Sequence, residues 1–377
     1  MNVLTQVDQA SRNSAIHRKR ILLGHLGKYG DCLFATAVAR QIKADFPDCH
    51  LTWAIGSPYR SVIRLNPYVD DIWEIGLTGE GEIKAWAQFE QEAMKRKSRG
   101  DFDEVFFTQI MPRNVQNFDG TVRSSIFRNY PNRITVPVTP SLELSSIEIE
   151  NVRRFAITHH LTEKRLVVLF ECAAMSGQSY ITRDFAFEVA KNILPIIPDS
   201  AVILSSKESF TMTDERIIDG SVLSFRENAE LSKYCHLLVG CSSGISWLCT
   251  TKWAKPLPMI QLLSSDAFCF ASFVYDHTQF GLPTDSIIEI PECTPDTVCR
   301  CILSVFSGGF EKARLQFHQR MKMPYGYYEP IHYQLLRDGK YKQAIHFLVV
   351  NLQRHGFHSQ FIFWPFRRMV KKISQNF

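Results

Sequence analysis

The chain has 377 residues, enough for two domains of ordinary size. Its 45% hydrophobic and 21% charged residues are a globular balance that permits a large buried core. The net charge of +5 is mild and suits anionic ligands or an anionic membrane surface. With no clustered basic helix or aromatic RNA-binding signature, it gives no support to nucleic-acid binding.

Residues 1–19 read as a polar, loosely attached arm without the apolar core of a secretory signal. No apolar run is long enough to span a bilayer, so a cytoplasmic protein is the expectation. Arg20-Ile21-Leu22-Leu23 then reads as a strand leading into Gly24-His25-Leu26-Gly27-Lys28-Tyr29-Gly30-Asp31, and an apolar helical pattern runs from Cys32 to Ile42. Three glycines allow a sharp turn and close approach of a ligand. The helix N-terminus offers unpaired N–H groups to an anion or polar ligand. Asp31 equally suits an N-cap, which would make it a helix starter only. The spacing Gly-x-x-Gly-x-x-Gly is not that of a dinucleotide site.

Further strands are expected at His50–Gly56, Asp71–Ile75 and Phe102–Thr108, with helices after Ser57 and over residues 78–99. This alternation predicts a parallel, Rossmann-like sheet. Arg113, Arg123, Arg128 and Arg133 lie in a polar stretch that reads as solvated loop and helix, with a charged acceptor as the alternative. A helix over residues 147–160 closes the first domain, placed at 20–160. The alternation then repeats over 161–305, with strands at Arg165–Phe170, Ala201–Leu204, His236–Gly240 and Met259–Leu262. Two such halves predict a cleft between two Rossmann-like domains, with ligands beyond the carboxyl ends of the strands. Leu238-Val239-Gly240-Cys241-Ser242-Ser243-Gly244 mirrors the first turn. It reads either as a phosphate cradle or as serines that cap a helix.

Residues 306–377 read as a helical C-terminal extension. Its Asp338–Ala344 stretch resembles a single tetratricopeptide helix, which one copy leaves as a plain helix. Residues Phe361 to Lys372 combine aromatic with basic side chains, a composition suited either to peripheral contact with an anionic membrane or to packing back onto the fold. The ten cysteines read as small core residues, and Cys293, Cys299 and Cys301 lack zinc-ligand spacing. Asp101-Phe102-Asp103 imitates an Asp-x-Asp metal motif but opens a strand, so no metal is expected there.

Between Arg20 and Leu263 the chain resembles glycosyltransferase family 9, the ADP-heptose:lipopolysaccharide heptosyltransferases and relatives. The resemblance rests on Leu26-Gly27-Lys28-Tyr29-Gly30-Asp31, on Asn66-Pro67-Tyr68-Val69-Asp70, on Phe102-Asp103-Glu104-Val105 and on the looser Gly240–Trp247 segment. It implies a GT-B fold, an acceptor on the first domain, a nucleotide-sugar on the second, and inverting, metal-independent transfer without a cofactor. It implies Asp31 as catalytic base, with His25, Gly27, Lys28 and Gly30 around the acceptor. The donor would meet Ser176, Gln178, Ser179, Arg183, Lys207, Ser242, Ser243, Gly244 and Trp247. Acceptors of this kind are cell-surface saccharides or glycolipids, which would place the protein at the inner face of the cytoplasmic membrane. The sequence departs from the family where an aspartate is Ser242, a histidine is Trp247 and a donor-binding lysine aligns with Gln178. These losses open the alternative of a non-catalytic protein that binds a saccharide or nucleotide.

Overall fold

A computed structural model of the chain describes residues 18–77, 82–172, 177–211, 213–265, 269–323 and 328–357. Most of the N-terminal arm, Ser176 and the basic aromatic tail lie outside them.

The first half is a four-stranded parallel sheet made of β1 (Arg20–Gly24), β2 (His50–Gly56), β3 (Asp71–Ile75) and β4 (Glu104–Phe107), in the order β3-β2-β1-β4. Strands buried on both faces read as continuous apolar runs, as Ile21-Leu22-Leu23 does here. Helices α1 (Tyr29–Asp45) and α2 (Glu82–Ser98) and a 3-10 segment at Ser57–Ile63 make the crossovers. Asp70, the last residue of the Asn66–Asp70 turn, accepts the Leu51 N–H at 2.7 Å and pairs with Lys43 and with Arg18. Asp103 accepts the Arg20 N–H at 2.7 Å. Both acids thus pin the starts of central strands. The metal-motif lookalike at Asp101–Asp103 has a structural use. Helices α3 (Val122–Arg128) and α4 (Ser146–Thr158) complete this half.

The second half is a six-stranded parallel sheet ordered β10-β9-β8-β5-β6-β7. Its strands are β5 (Leu166–Glu171), β6 (Ser200–Ser205), β7 (Ile217–Asp219), β8 (Leu237–Gly240), β9 (Met259–Leu263) and β10 (Ile287–Pro291). The flanking helices are α5 (Arg183–Ile193), α6 (Glu227–Leu231), α7 (Gly244–Leu248), α8 (Phe273–Gln279) and α9 (Pro295–Gly308). β7 and β10, absent from the sequence reading, are the two edge strands. Each pairs on one side only, so neither needs the long apolar run of a central strand.

α10 (Phe310–Phe317) packs on α9. The hairpin of α11 (Tyr328–Arg337) and α12 (Tyr341–His355) returns to the first half, where Tyr328, Leu335, Ala344 and Phe347 close over Phe118. Tyr328 Oη donates to the Asp119 carbonyl at 2.6 Å and Asn351 Nδ2 to the Phe118 carbonyl at 3.2 Å. α12 also reaches the second half, since Arg354 donates to Gln279 at 2.6 Å. Among the described residues no helix is long and apolar enough to cross a membrane.

The halves share one hydrophobic core. Phe34 of α1 stacks on Phe127 at 4.7 Å between centroids and meets the edge of Trp247 at 5.3 Å. Trp247 in turn stacks on Phe273 at 4.0 Å. A buried charge bolts the same interface: Arg226, immediately before α6 and 2% exposed, enters the first half. There it pairs with Glu148 at 2.7 Å and donates to the carbonyls of Arg64, Ser61 and Glu143.

Candidate active site

The first glycine turn leaves the carboxyl end of β1 and enters α1. Gln109 Oε1 accepts the N–H groups of Leu26 and Gly27, at 2.7 and 3.3 Å. The Tyr59 ring packs so close to Gly27 that a Cβ there would come within 2.4 Å of it, so any side chain at this position would have to displace the ring. The Gly27–Lys28 peptide is cis. Lys28 is the N-cap of α1, without a capping side-chain hydrogen bond, and Asp31 lies in the first turn. Asp31 is therefore not the N-cap that the sequence suggested. It is half-buried, and its carboxylate benefits from the positive end of the helix.

The second turn leaves β8 and enters α7. The two turns meet: a side chain placed on Gly30 would come 3.6 Å from the Gly244 backbone. Gly244 is wedged under Phe225, which a Cβ would approach to 2.7 Å. Tyr29 braces the contact, its ring 4.8 Å from that of Phe225 and 5.1 Å from that of Tyr59. Burial, followed by the opposing charge of Arg123 and those of Asp31 and Asp276, holds the Cys269 thiol at about 11. These four groups thus share one electrostatic neighbourhood at the junction of the halves.

The second turn already holds an anion of the protein's own. The Glu171 carboxylate, at the end of β5, accepts the N–H groups of Cys241 and Ile245 at 3.1 and 2.8 Å and the Ser246 hydroxyl at 2.6 Å. Ser243 is the N-cap of α7 but makes no capping side-chain bond, and Glu171 takes the amides on either side of the Ser242–Gly244 segment, whose Ser242 N–H goes to Gln261. Ser242 is fully buried with φ +50, in the left-handed region that costs a side chain about 1–2 kcal/mol. Its peptide groups hold it there. The N–H bonds Gln261 at 2.7 Å, and the carbonyl accepts Arg123 at 2.9 Å and Gln178 at 3.2 Å. Replacing Glu171 by alanine is expected to destabilise the fold by about 1–3 kcal/mol, because two buried N–H groups lose their acceptor. Urea unfolding of Glu171→Ala against the parent measures this.

His25 and Trp247 are not at a ligand-facing surface. His25 is 1% exposed, with Nδ1 3.0 Å from the Thr108 hydroxyl. Burial drives its pKa down to about 3, against a backbone hydrogen bond at Gly27, so it stays neutral. His25 follows β1 directly and is held by the neighbouring β2, whose Ala54 carbonyl accepts its N–H at 3.1 Å and whose Trp53 donates to its carbonyl at 3.0 Å. Trp247 is 1% exposed and sandwiched in the aromatic core, with the Arg123 guanidinium 4.6 Å from its ring centroid. Aromatic bulk at this position serves packing between the halves. Ser179 is turned inward too, donating to the Leu262 carbonyl at 2.6 Å. Gln178 is 6% exposed and braces Ser242 as described.

Arg183 and Lys207 come together. With Cys172, Thr182, Asp184, Ser206 and Glu208 they line an open depression of about 290 Å³. It lies beyond the carboxyl ends of β5 and β6 and at the amino end of α5, where an open parallel sheet binds its ligands. Thr182 caps α5 by accepting the Phe185 N–H at 3.2 Å. Two cations and a helix N-terminus suit a phosphorylated ligand, and Asp184 and Glu208 offset part of that charge.

Sequence reasoning missed Glu171 and misread Arg123. An acid closing the otherwise apolar run Leu166–Phe170 was the available signal for Glu171. Arg123 read as a solvated arginine, yet its side chain is 7% exposed and pairs with Asp276 at 3.4 Å. Arg128 is also internal, 2.8 Å from Asp119, while Arg113 lies at the surface and pairs with Glu90.

Two parallel sheets in tandem, each clad in helices, with the two glycine turns meeting between them, define the GT-B architecture. The fold is similar to the crystal structure of a glycosyl transferase family 9 protein from Veillonella parvula DSM 2008. The TM-score is 0.50 at 12% identity, over 79% of this chain and 94% of that one. Escherichia coli ADP-heptose LPS heptosyltransferase II gives 0.48 at 12% identity, over 76% of this chain and 98% of that one. The E. coli heptosyltransferase WaaC with ADP gives 0.41 at 14%, over 78% and 99%. No protein-family model and no curated protein matches the chain. At 12% identity the likeness to the Veillonella protein bears on the fold alone.

Proposed function

We propose that this protein is a glycosyltransferase that moves a sugar from a nucleotide-sugar to a hydroxyl of a saccharide or glycolipid acceptor, with inversion and without a metal. The observation that carries this reading is the placement of Asp31. A half-buried carboxylate stands in the first turn of α1, where the turn that carries it abuts the Ser243–Gly244 turn of the other half. In the proposed reaction the acceptor oxygen attacks the anomeric carbon as Asp31 takes its proton. The bond from that carbon to the diphosphate breaks, and the nucleoside diphosphate departs with the electron pair. Arg183 and Lys207 are the cations proposed to receive that charge, since both line the depression at the amino end of α5. Contact with the membrane through residues 361–372 fits a glycolipid acceptor but concerns residues outside those described.

The test is thermal stabilisation of the full chain by a panel of nucleotides and nucleotide-sugars, with and without EDTA. A ligand that binds only the folded state raises the melting temperature. One nucleoside diphosphate is expected to do so equally in EDTA. Arg183→Ala and Lys207→Ala are each expected to weaken its binding about tenfold by removing a charge-assisted contact. A shift that both variants leave intact would move the donor elsewhere.

The alternative, a non-catalytic binding protein, is favoured by one specific observation. Trp247, in the place of the family's histidine, is sealed in the core and reaches no donor. Turnover of any nucleotide-sugar by the purified protein would end that alternative.

A further inference from the structure

The α11–α12 hairpin has a second apolar face on which none of the described elements packs. Its inner face is accounted for, because Leu335, Ala344 and Phe347 are buried against the first half. On the other side of α12, Tyr341, Ile345 and Val349 follow at intervals of four residues, so they stand above one another on one helix face. They are 64%, 63% and 42% exposed. Leu348 and Leu352, half-buried, fall on the same stripe. α11 exposes Leu336 as well, and Phe357, just past the end of α12, is 73% exposed. Apolar side chains gathered on one helix and left in water mark a surface that meets something else.

The charge beside this stripe identifies the partner. Asp338 is the last acidic residue of the chain, and the 39 residues after it contain seven lysines and arginines. The preceding residues hold the remaining 36 basic side chains against all 38 acidic ones, so the net positive charge of the protein resides in this C-terminal stretch. Arg337, Lys340 and Lys342 are exposed at the base of the stripe. Arg337 and Lys340 approach Asp338 only to 3.9 Å, which leaves their charge largely available. The sequence beyond Phe357 continues in the same chemistry, with Phe361, Phe363, Trp364 and Phe366 followed by Arg367, Arg368, Lys371 and Lys372.

We propose that the outer face of α12, with Tyr341, Ile345 and Val349 as its apolar contacts and Lys340 and Lys342 beside them, docks this protein on an anionic lipid surface. An amphipathic face of this kind lies in the membrane plane, its apolar side chains at the acyl boundary and its cations among anionic headgroups. A second copy of the chain is the poorer occupant, because pairing two such faces sets like charges against one another. The face is the exposed side of a single helix rather than a groove, which suits a planar partner. This inference does not depend on the transferase reading, and its test uses no sugar donor.

The test is sedimentation of the full chain with vesicles of phosphatidylcholine alone and of phosphatidylcholine with phosphatidylglycerol. Binding is expected only to the second kind, and it is expected to weaken as salt is raised. The triple variant Y341S/I345S/V349S is expected to bind at least about tenfold more weakly, and K340Q/K342Q about tenfold more weakly with a shallower salt dependence. Both variants should keep the parent melting temperature, since the replaced side chains are exposed. The proposal is overturned if the parent ignores anionic vesicles. It is equally overturned if the triple variant binds as the parent does, which would put binding in the tail alone. A concentration-dependent dimer that the triple variant abolishes, without vesicle binding, would assign the face to a second copy.

Discussion

Replacing Arg226 by alanine is expected to lower the unfolding free energy by about 3–5 kcal/mol, the cost of breaking a buried ion pair from one side. The guanidinium is 2% exposed and uses all of its nitrogens on the first half of the molecule: Glu148, and the carbonyls of Arg64, Ser61 and Glu143. None of these acceptors is near it in sequence. Alanine would strand three carbonyls and deprive Glu148 of its main partner, while Arg64 at 3.2 Å and the Ser145 capping box would remain. Lysine at the same position keeps the charge but lacks the planar fork, and is expected to recover only part of the loss.

The pair also has a pH signature. Burial alone would raise the Glu148 carboxyl, but hydrogen bonds from Arg226 and from the Ser145 backbone and hydroxyl outweigh it and hold the pKa at about 2. A depressed folded-state pKa gives stability that is complete above the ordinary value of 4.5 and is lost as pH falls toward 2. Urea unfolding at pH 7 and at pH 3 checks both points. The parent should lose more stability on acidification than Arg226→Ala does. Equal losses would mean that Arg226 does not set the Glu148 pKa.

Replacing Asp31 by asparagine is expected to lower transfer by about 10²–10⁴-fold once a donor and acceptor are in hand, the range for removal of a general base. The substitution keeps the shape and removes the proton acceptor. Binding of the nucleoside diphosphate should persist, since the proposed phosphate contacts are Arg183 and Lys207. Steady-state rates, paired with thermal shift, separate the two effects. An undiminished rate in Asp31→Asn would remove Asp31 from the chemistry and leave it as a first-turn residue that complements the helix dipole.

The sheets were legible for a simple reason. Parallel strands covered on both faces must be apolar throughout, so Leu166–Phe170 and Ala201–Leu204 announce themselves. The edge strands escaped the same reading. β7 has three residues and pairs with β6 alone, and a strand that short carries no usable period. The first turn was legible because its chemistry is local: glycines, a helix start and one carboxylate within eight residues.

The second turn was not legible, because its occupant is distant. Glu171 is 70 residues from the Cys241 amide it binds, and Arg123 is 119 residues from the Ser242 carbonyl. A serine-rich turn before a helix gives the same sequence whether its amides await a phosphate or hold an internal carboxylate. His25 and Trp247 illustrate the point from the other direction. Their types suggest ligand contact, yet one is buried against Thr108 beside β2 and the aromatic stack of the interface encloses the other.

By itself, then, the sequence determined the alternation of strands and helices, the two turns and the position of Asp31, since each depends on neighbours in the chain and on the period of apolar residues. Only the tertiary structure decided which charged groups turn inward. Burying a charge is tolerated only where partners surround it, and here the partners of Arg123 and Arg226 come from the other half of the molecule and those of Glu171 from the neighbouring strand's turn, all distant in sequence.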